Sequence, residues 1–528
     1  MKTVGGRVMF PENFYWGVSQ SGFQFEMGDK YRRHIDPNTD WWHWVRDKVN
    51  IEKGLVSGDL PEDGINSYEL YEVDHNLAKD LGLNMYRIGI EWSRIFPWPT
   101  TYVDVDYSID SSYDLVKDIK IDKSILEELD ELANQREIAY YRRVISSLRD
   151  KGFKVIVNLN HFTLPHWLHD PITAREKALT NSRNGWINKR TVIEFAKFAA
   201  YIAYKFGDIV DMWSTFNEPM VVVELGYLAP YSGFPPGVMN PEAAKLAMLN
   251  MINAHALAYK MIKKFDKEKA DKDSKEAADV GIIYNNIGVA YPENHRNEKD
   301  IKAAENDNFF HSRLFLEAIT WGKLNIEFDG ETFVNLPYLK GNDWIGINYY
   351  TREVVKWSDP MFPTLPLITF KGVPGYGYAC RPGMSSKSGN PVSDMGWEIY
   401  PEGIYNSIVE AERYGVPLYI TENGIADSKD VLRPYYIVSH LAVIEEAYEE
   451  GHEVRGYLHW ALTDNYEWPL GFRMRFGLYE VNLITKERKP RKRSVEVFSR
   501  IISEGTTKGL QDEFRLKVRG ERYENDSG

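Results

Sequence analysis

The 528-residue chain has a single cysteine, Cys380, so no disulfide can form within it. That fits a reducing compartment. No stretch approaches the roughly 18 apolar residues that a membrane span needs. The opening MKTVGGRVMFPENFYWG lacks the apolar centre of a signal peptide. A cytoplasmic protein without a membrane partner is the expectation. Positive charge is also short: 64 Lys and Arg against 77 Asp and Glu give a formal net charge of −13. Nucleic acid needs a basic face, so it is not the expected partner. The one locally basic run, KERKPRKR at 486–493, reads as a solvated turn near the last helix. Short repeats and low-complexity linkers are absent too.

What recurs instead is a short apolar run followed by an amphipathic stretch. The runs are 13–19, 85–92, 154–160, 210–217, 280–286, 343–350, 417–423 and 454–460. They are rich in β-branched and aromatic residues and mostly lack a polar face, as strands covered on both sides do. Between them, 188–208, 241–265, 433–451 and 491–505 have helical spacing. The second opens with Pro and the third ends in Gly, both usual helix punctuation. Eight strand–helix alternations predict one α/β domain over 1–528, a (β/α)8 TIM barrel. A minimal barrel needs roughly 250 residues, so the surplus must lie in connecting loops. These are 20–66, 98–136, 161–187 and 351–400, with 100–135 and 351–400 as the main insertions. The Gly-, Pro- and Ser-rich part of the last, 365–396, is expected near the barrel mouth.

In this fold the C-terminal ends of the strands share one bowl. The run ends carry Gln20 and Gln24, Glu91 and Trp92, His161, Asn217 and Glu218, Asn285 and Asn286, Tyr349, Glu422 and Asn423, and Trp460. A lone Glu at a strand end is commonly a salt-bridge partner. Two, each beside an Asn, at the ends of runs four and seven, face each other across the mouth. Paired carboxyls over a pocket are what glycosidic cleavage requires. One must hold a proton for the leaving oxygen; the other must be ionised to attack the anomeric carbon. Arg87 offers a cation and Tyr349 a donor to favour the ionised acid.

At this point the motifs TFNEP and TENG resemble the two signatures of glycoside hydrolase family 1, the retaining β-glycosidases. FYWGVSQSGFQFE, IEWSRIFP, WIGINYYTR, HWALTDNYEW and RFGL match in order, and SGFQFEMG and GLVSGDLPE resemble the archaeal branch. The resemblance covers nearly the whole chain. It implies Glu218 as acid/base, Glu422 as nucleophile and Asn217 at the sugar 2-hydroxyl. It implies Tyr349 and Arg87 as supports of the nucleophile. It also implies Gln24 and Glu467 as readers of the 3-, 4- and 6-hydroxyls, His161 at the 3-hydroxyl, and Trp460 and Trp468 as stacking surfaces. The implied activity is exo-hydrolysis of short saccharides or aryl and alkyl glycosides, β-glucosides and β-galactosides above all and mannosides or fucosides among the alternatives. No metal or organic cofactor is implied; a heat-stable homo-oligomer, dimer or tetramer, is.

Two departures stand out. Phe162 follows His161 where the family usually has Trp, which removes an indole donor. Asn482 stands where Asp is usual. The rival 6-phosphoglycosidase reading meets Glu467, which would repel a phosphate. A non-catalytic sugar-binding relative would typically lack one of the two acids, and both are present. A metal at His161, His166 and His169 does not fit the helix-borne zinc spacings. His255, mid-helix, reads as a satisfied, partly buried histidine.

Overall fold

A computed structural model describes residues 3–4, 7–272 and 274–516. Part of the N-terminal stretch read above and the end of the 1–528 domain lie outside the described residues. Eight parallel strands close into a barrel. They are β1 (Tyr15–Ser19), β2 (Met85–Gly89), β3 (Lys154–Asn160), β4 (Met212–Asn217), β5 (Asp279–Asn285), β6 (Ile345–Asn348), β7 (Leu418–Asn423) and β8 (Val454–His459). Each falls within one of the eight apolar runs, give or take a residue. Gly456 of β8 pairs with Tyr15 of β1, which closes the ring. Helices α1 (Ser67–Asp80), α2 (Gln135–Asp150), α3 (Lys189–Phe206), α4 (Pro241–Phe265), α5 (Leu314–Trp321), α6 (Glu402–Glu412), α7 (Arg433–Glu449) and α8 (Lys492–Glu504) follow the strands in turn.

The strands look uniformly apolar because both their faces are buried. Tyr86, Ile88, Val155, Val157, Trp213 and Ile282 pack outward against the helices. Met85, Ile156, Met212, Ile283, Trp344 and Leu458 point inward and plug the barrel floor. A Cβ at Gly281 would lie 2.4 Å from the Trp344 ring, so only glycine lets that ring fill the axis. Side chains alternate in and out along each strand. The register shifts near the C-terminal ends of β4, β6 and β7, where the polar residues sit. Such irregularities re-aim side chains.

Helix starts follow from local chemistry. Asn240 accepts from the Ala243 N–H ahead of Pro241 in α4, and Asn188 caps α3 by accepting from the Arg190 N–H. The surplus length is in the loops. In the connection from β2 to α2, Asp106–Asp110 and Leu115–Lys120 form an antiparallel hairpin. It docks on α4, where the Asn253 side chain exchanges two 2.7 Å hydrogen bonds with the Val116 backbone. After β6, Glu353–Trp357 pairs with Ala290–Pro292 and Phe370–Gly372 in a small sheet. No described helix is long and apolar enough to cross a membrane.

The basic run at 486–493 is not simply a solvated turn. Arg488–Pro490 is a strand paired with Tyr479–Val481. Arg488 donates to both oxygens of Asp74 at 2.8 and 3.1 Å. Arg491 donates to both oxygens of Asp464 at 3.0 Å. Lys489, Lys492 and Arg493 stay exposed. The run alternates between solvent and buried acids, which its composition alone cannot reveal.

Removing one partner of a buried ion pair costs about 3–5 kcal/mol, because the other charge stays buried. Asp464→Ala is therefore expected to lower the melting temperature sharply. Ile484→Ala, at a side chain 92% exposed, should leave it unchanged. Thermal melts of the two variants check this.

Candidate active site

The strand ends converge on a cavity of about 450 Å³ at the C-terminal mouth. Behind its lining, Arg87 of β2 is fully buried and bonded to three of the lining residues. A buried guanidinium requires partners. Nη1 donates to Glu422 Oε1 at 2.6 Å. Nη2 donates to Asn217 Oδ1 at 2.8 Å and lies 3.1 Å from His161 Nδ1. Strands β2, β3, β4 and β7 are thus joined through one side chain.

Glu218 follows β4 with a positive φ of +47°, just before the helix Pro219–Tyr227. That left-handed conformation is uncommon for a non-glycine residue. Asn348 at the end of β6 donates from Nδ2 to Glu218 Oε1 at 2.7 Å and to Asn217 Oδ1 at 3.0 Å. Thr421 Oγ1 donates to Asn348 Oδ1 at 2.8 Å and so fixes that amide. Burial, and then the negative charge of Glu422, push the Glu218 carboxyl up to about 8, against the opposing Asn348 hydrogen bond. At neutral pH Glu218 holds a proton. Glu422 remains within reach of the Arg87 cation and of one hydroxyl donor.

The Tyr349 side chain does not hold the Glu422 carboxyl; only its backbone N–H meets that residue, at the carbonyl, 2.9 Å away. Its hydroxyl donates to the Tyr400 carbonyl, and its ring packs outward beside Gly403 of α6 and His440 of α7. Tyr350 is the residue that donates to Glu422 Oε2, at 2.7 Å. Gly346, Asn348 and Tyr350 alternate onto the inner face, so the second Tyr of NYY, not the first, looks into the cavity.

Of the other expected residues, four line the same cavity: His161, Trp460, Glu467 and Trp468. Gln24 is buried beside one of them, Glu467, without lining the cavity. Gln24 Nε2 donates to the Tyr466 carbonyl at 2.9 Å and lies 3.5 Å from Glu467 Oε2. Burial, then the Arg87 charge, hold His161 well below its usual range, so it is neutral. Phe162 sits 4.9 Å from the Trp468 ring and supports it. Burial, then Glu422 and Glu218, raise Glu467 to about 8. Glu467 is therefore protonated at neutral pH, and its charge alone would not repel a phosphate. The cavity lining as a whole is rich in acids and holds no Lys or Arg, which still disfavours that ligand.

Glu91 ends the second run but serves the loops. It accepts the Phe23 N–H at 2.8 Å and the Thr163 hydroxyl at 2.7 Å. It thereby braces the loop that bears Gln24 against the one that bears His161. The three histidines of HFTLPHWLH separate: His169 pairs with Asp40 at 2.7 Å, and His166 stacks on His43. His255 is fully buried between Thr215 Oγ1 and the Gly341 carbonyl. The one metal-type grouping among the described residues, Asp29, His34 and Glu69, lies outside the cavity lining. Arg33 and Arg136 already occupy it.

Sequence reasoning missed Asn348 and Tyr350, although the two-residue period from Gly346 marks both. It also missed His311, which lines the cavity from a π-helical turn, Phe309–Arg313, where no periodic pattern signals it.

The sequence model of glycosyl hydrolase family 1 matches residues 7–106 and 129–506. The chain is 78% identical over 506 residues to a β-galactosidase of Pyrococcus woesei, covering 96% of this chain and 99% of that one. The β-glycosidase structure from the hyperthermophile Thermosphaera aggregans superposes with a TM-score of 0.86 at 41% identity, covering 96% and 100%. A β-glucosidase mutant derived from a hyperthermophilic tetrameric structure gives 0.82 at 42% identity, covering 94% and 96%.

Two outcomes follow from this geometry. A hydrogen bond to a charged group is worth about 1.5–3 kcal/mol. Tyr350→Phe should thus lower kcat about ten- to a hundredfold in steady-state assays, whereas Tyr349→Phe should change it little. Removing the Glu422 charge in Glu422→Gln should lower the Glu218 pKa from about 8 but leave it above 4.5, because burial is the larger cause. Carboxyl-resolved NMR titration reads this shift directly.

Proposed function

The chain belongs to glycosyl hydrolase family 1, in its archaeal-type branch, and from that premise we infer a retaining exo-β-glycosidase in which Glu422 attacks and Glu218 carries the proton. The observation that carries the reading is the contrast between two buried carboxyls. One is raised to about 8, and the other is held by Arg87 and Tyr350. Environments that push two acids apart assign acid and nucleophile.

Glu422 bonds to the anomeric carbon as the Glu218 proton passes to the glycosidic oxygen; the C–O bond breaks and the leaving alcohol departs. Once Glu422 is esterified, its charge no longer raises Glu218. The Glu218 carboxylate then takes a proton from water, and water displaces Glu422 with a second inversion. The Asn217 oxygen is occupied by Arg87 and Asn348, and Asn217 Nδ2 lies 3.0 Å from His161 Nε2, which leaves one N–H for the sugar 2-hydroxyl. Gln24, His161 and Glu467 read further hydroxyls, and Trp460 and Trp468 supply apolar faces for the ring. The glycon we propose is β-galactosyl or β-glucosyl, in line with what the relatives are called. A single cysteine supports a cytoplasmic setting, and the tetrameric origin of one structural neighbour supports a homo-oligomer. Residues 1–528 are read as one catalytic domain, with 100–135 and 351–400 inserted in its loops.

Azide rescue separates the two acids. Glu422→Ala with azide should give the α-glycosyl azide, formed by one inversion. Glu218→Ala should give the β-azide, formed from the glycosyl-enzyme. Product NMR distinguishes them, and a β-azide from Glu422→Ala would sink the assignment.

A further inference from the structure

The stretch 373–398 is rich in Gly, Ser and Pro and makes little secondary structure of its own beyond the short turn Gly377–Ala379. It folds around one buried carboxylate, Glu398. Oε1 accepts from Arg352 Nη2 at 3.1 Å, Ser386 Oγ at 2.7 Å and Asn390 Nδ2 at 2.9 Å. Oε2 accepts from Arg352 Nε at 3.0 Å and from the Gly377 N–H at 2.9 Å. Burial opposes the charge, yet these donors, Arg352 first among them, hold the carboxyl below its usual range. The Arg352 guanidinium also lies 3.9 Å from the centre of the Tyr400 ring. Gly377 has a φ of +49°, and a Cβ there would lie 1.9 Å from the Arg352 carbonyl oxygen. Only glycine lets the loop close on Arg352 so tightly.

Neither Glu398 nor Arg352 lines the cavity, but both flank residues that do. Arg352 stands two residues beyond Tyr350, and Glu398 directly follows Trp397. Tyr350 lies between β6 and the strand Glu353–Trp357 and belongs to neither. The Tyr436 hydroxyl holds its carbonyl at 3.1 Å, which leaves the ring to be aimed by what surrounds it. That ring packs on Trp397 and Phe476, 5.3 and 6.1 Å away between centres. Its hydroxyl meets Glu422 Oε2 at 2.7 Å. Hydrogen bonds weaken steeply as their angle and length depart from the optimum.

We propose that Glu398 is a positioning residue for the reaction. It fixes Arg352 on one side of Tyr350 and Trp397 on the other, and so aims the Tyr350 hydroxyl at Glu422 from outside the cavity. This rests on Glu422 being the nucleophile. A carboxylate that only folded its own loop would lower the melting temperature, and its loss would add to that of Tyr350 independently.

The test is a double-mutant cycle on kcat per folded molecule, with 4-nitrophenyl β-galactoside as substrate. Glu398→Gln keeps the shape of the side chain but sets an NH2 against the donors that the carboxylate satisfied. Its kcat should fall about tenfold. In that background Tyr350→Phe should cost less than about threefold further, far below its effect in the wild type, because the two changes act on one contact. Arg352→Lys keeps the charge but loses the two-pronged contact. It should show the same non-additivity, and it carries the cycle if Glu398→Gln does not fold. Losses that add in full, or an unchanged kcat in Glu398→Gln, would overturn the proposal and leave the roles of Glu422 and Tyr350 standing. A Tyr350→Phe enzyme as fast as the wild type would overturn the parent reading of that contact along with it.

Discussion

A fully buried guanidinium sets the terms for this site. Arg87 cannot stay charged in the barrel without an anion, and Glu422 is the anion it touches. The same fork reaches Asn217 and His161, so Glu422, the amide beside Glu218 and the imidazole of His161 are held by one rigid plane. Asn348 extends the network to Glu218. Holding Glu422 and keeping Glu218 protonated are thus two results of one arrangement. The cation serves the first acid directly, while the first acid's charge, added to burial, acts on the second.

The barrel was readable because each strand is covered on both faces. That leaves eight apolar runs with no competing pattern, and most of the named site residues stand where those runs end or begin to turn. The meeting of Glu218 and Glu422 in one cavity was readable because two acids beside amides, placed at the ends of strands four and seven, face one barrel mouth. What escaped notice depended on direction or on distant partners. Tyr349 and Tyr350 are adjacent and identical in type; only the alternation through Asn348, near a register shift, decides which enters the cavity. The acid that buries Arg488 lies 414 positions away, and no local composition can announce it. His311 reaches the cavity from an irregular turn, so its place follows from tertiary structure alone.

Glu218, Glu422 and Glu467 share the cavity, and burial above all raises two of them, Glu218 and Glu467, to about 8. The cavity thus presents hydrogen-bond donors from groups usually taken as acceptors. A protonated Glu467 beside Gln24 can both give and take hydrogen bonds, which suits hydroxyls that do the same. Glu91 holds the loops that present these groups in fixed relation, so recognition is shaped before any ligand arrives.

The hairpin at 106–120 sits on the outer helix layer, and the family model skips much of it. Every reacting side chain arrives on its own strand, with a complete helix between one arrival and the next. Lineages can therefore lengthen or trim such an appendage as a matter of surface identity, altering what neighbours the molecule keeps while its chemistry is inherited intact.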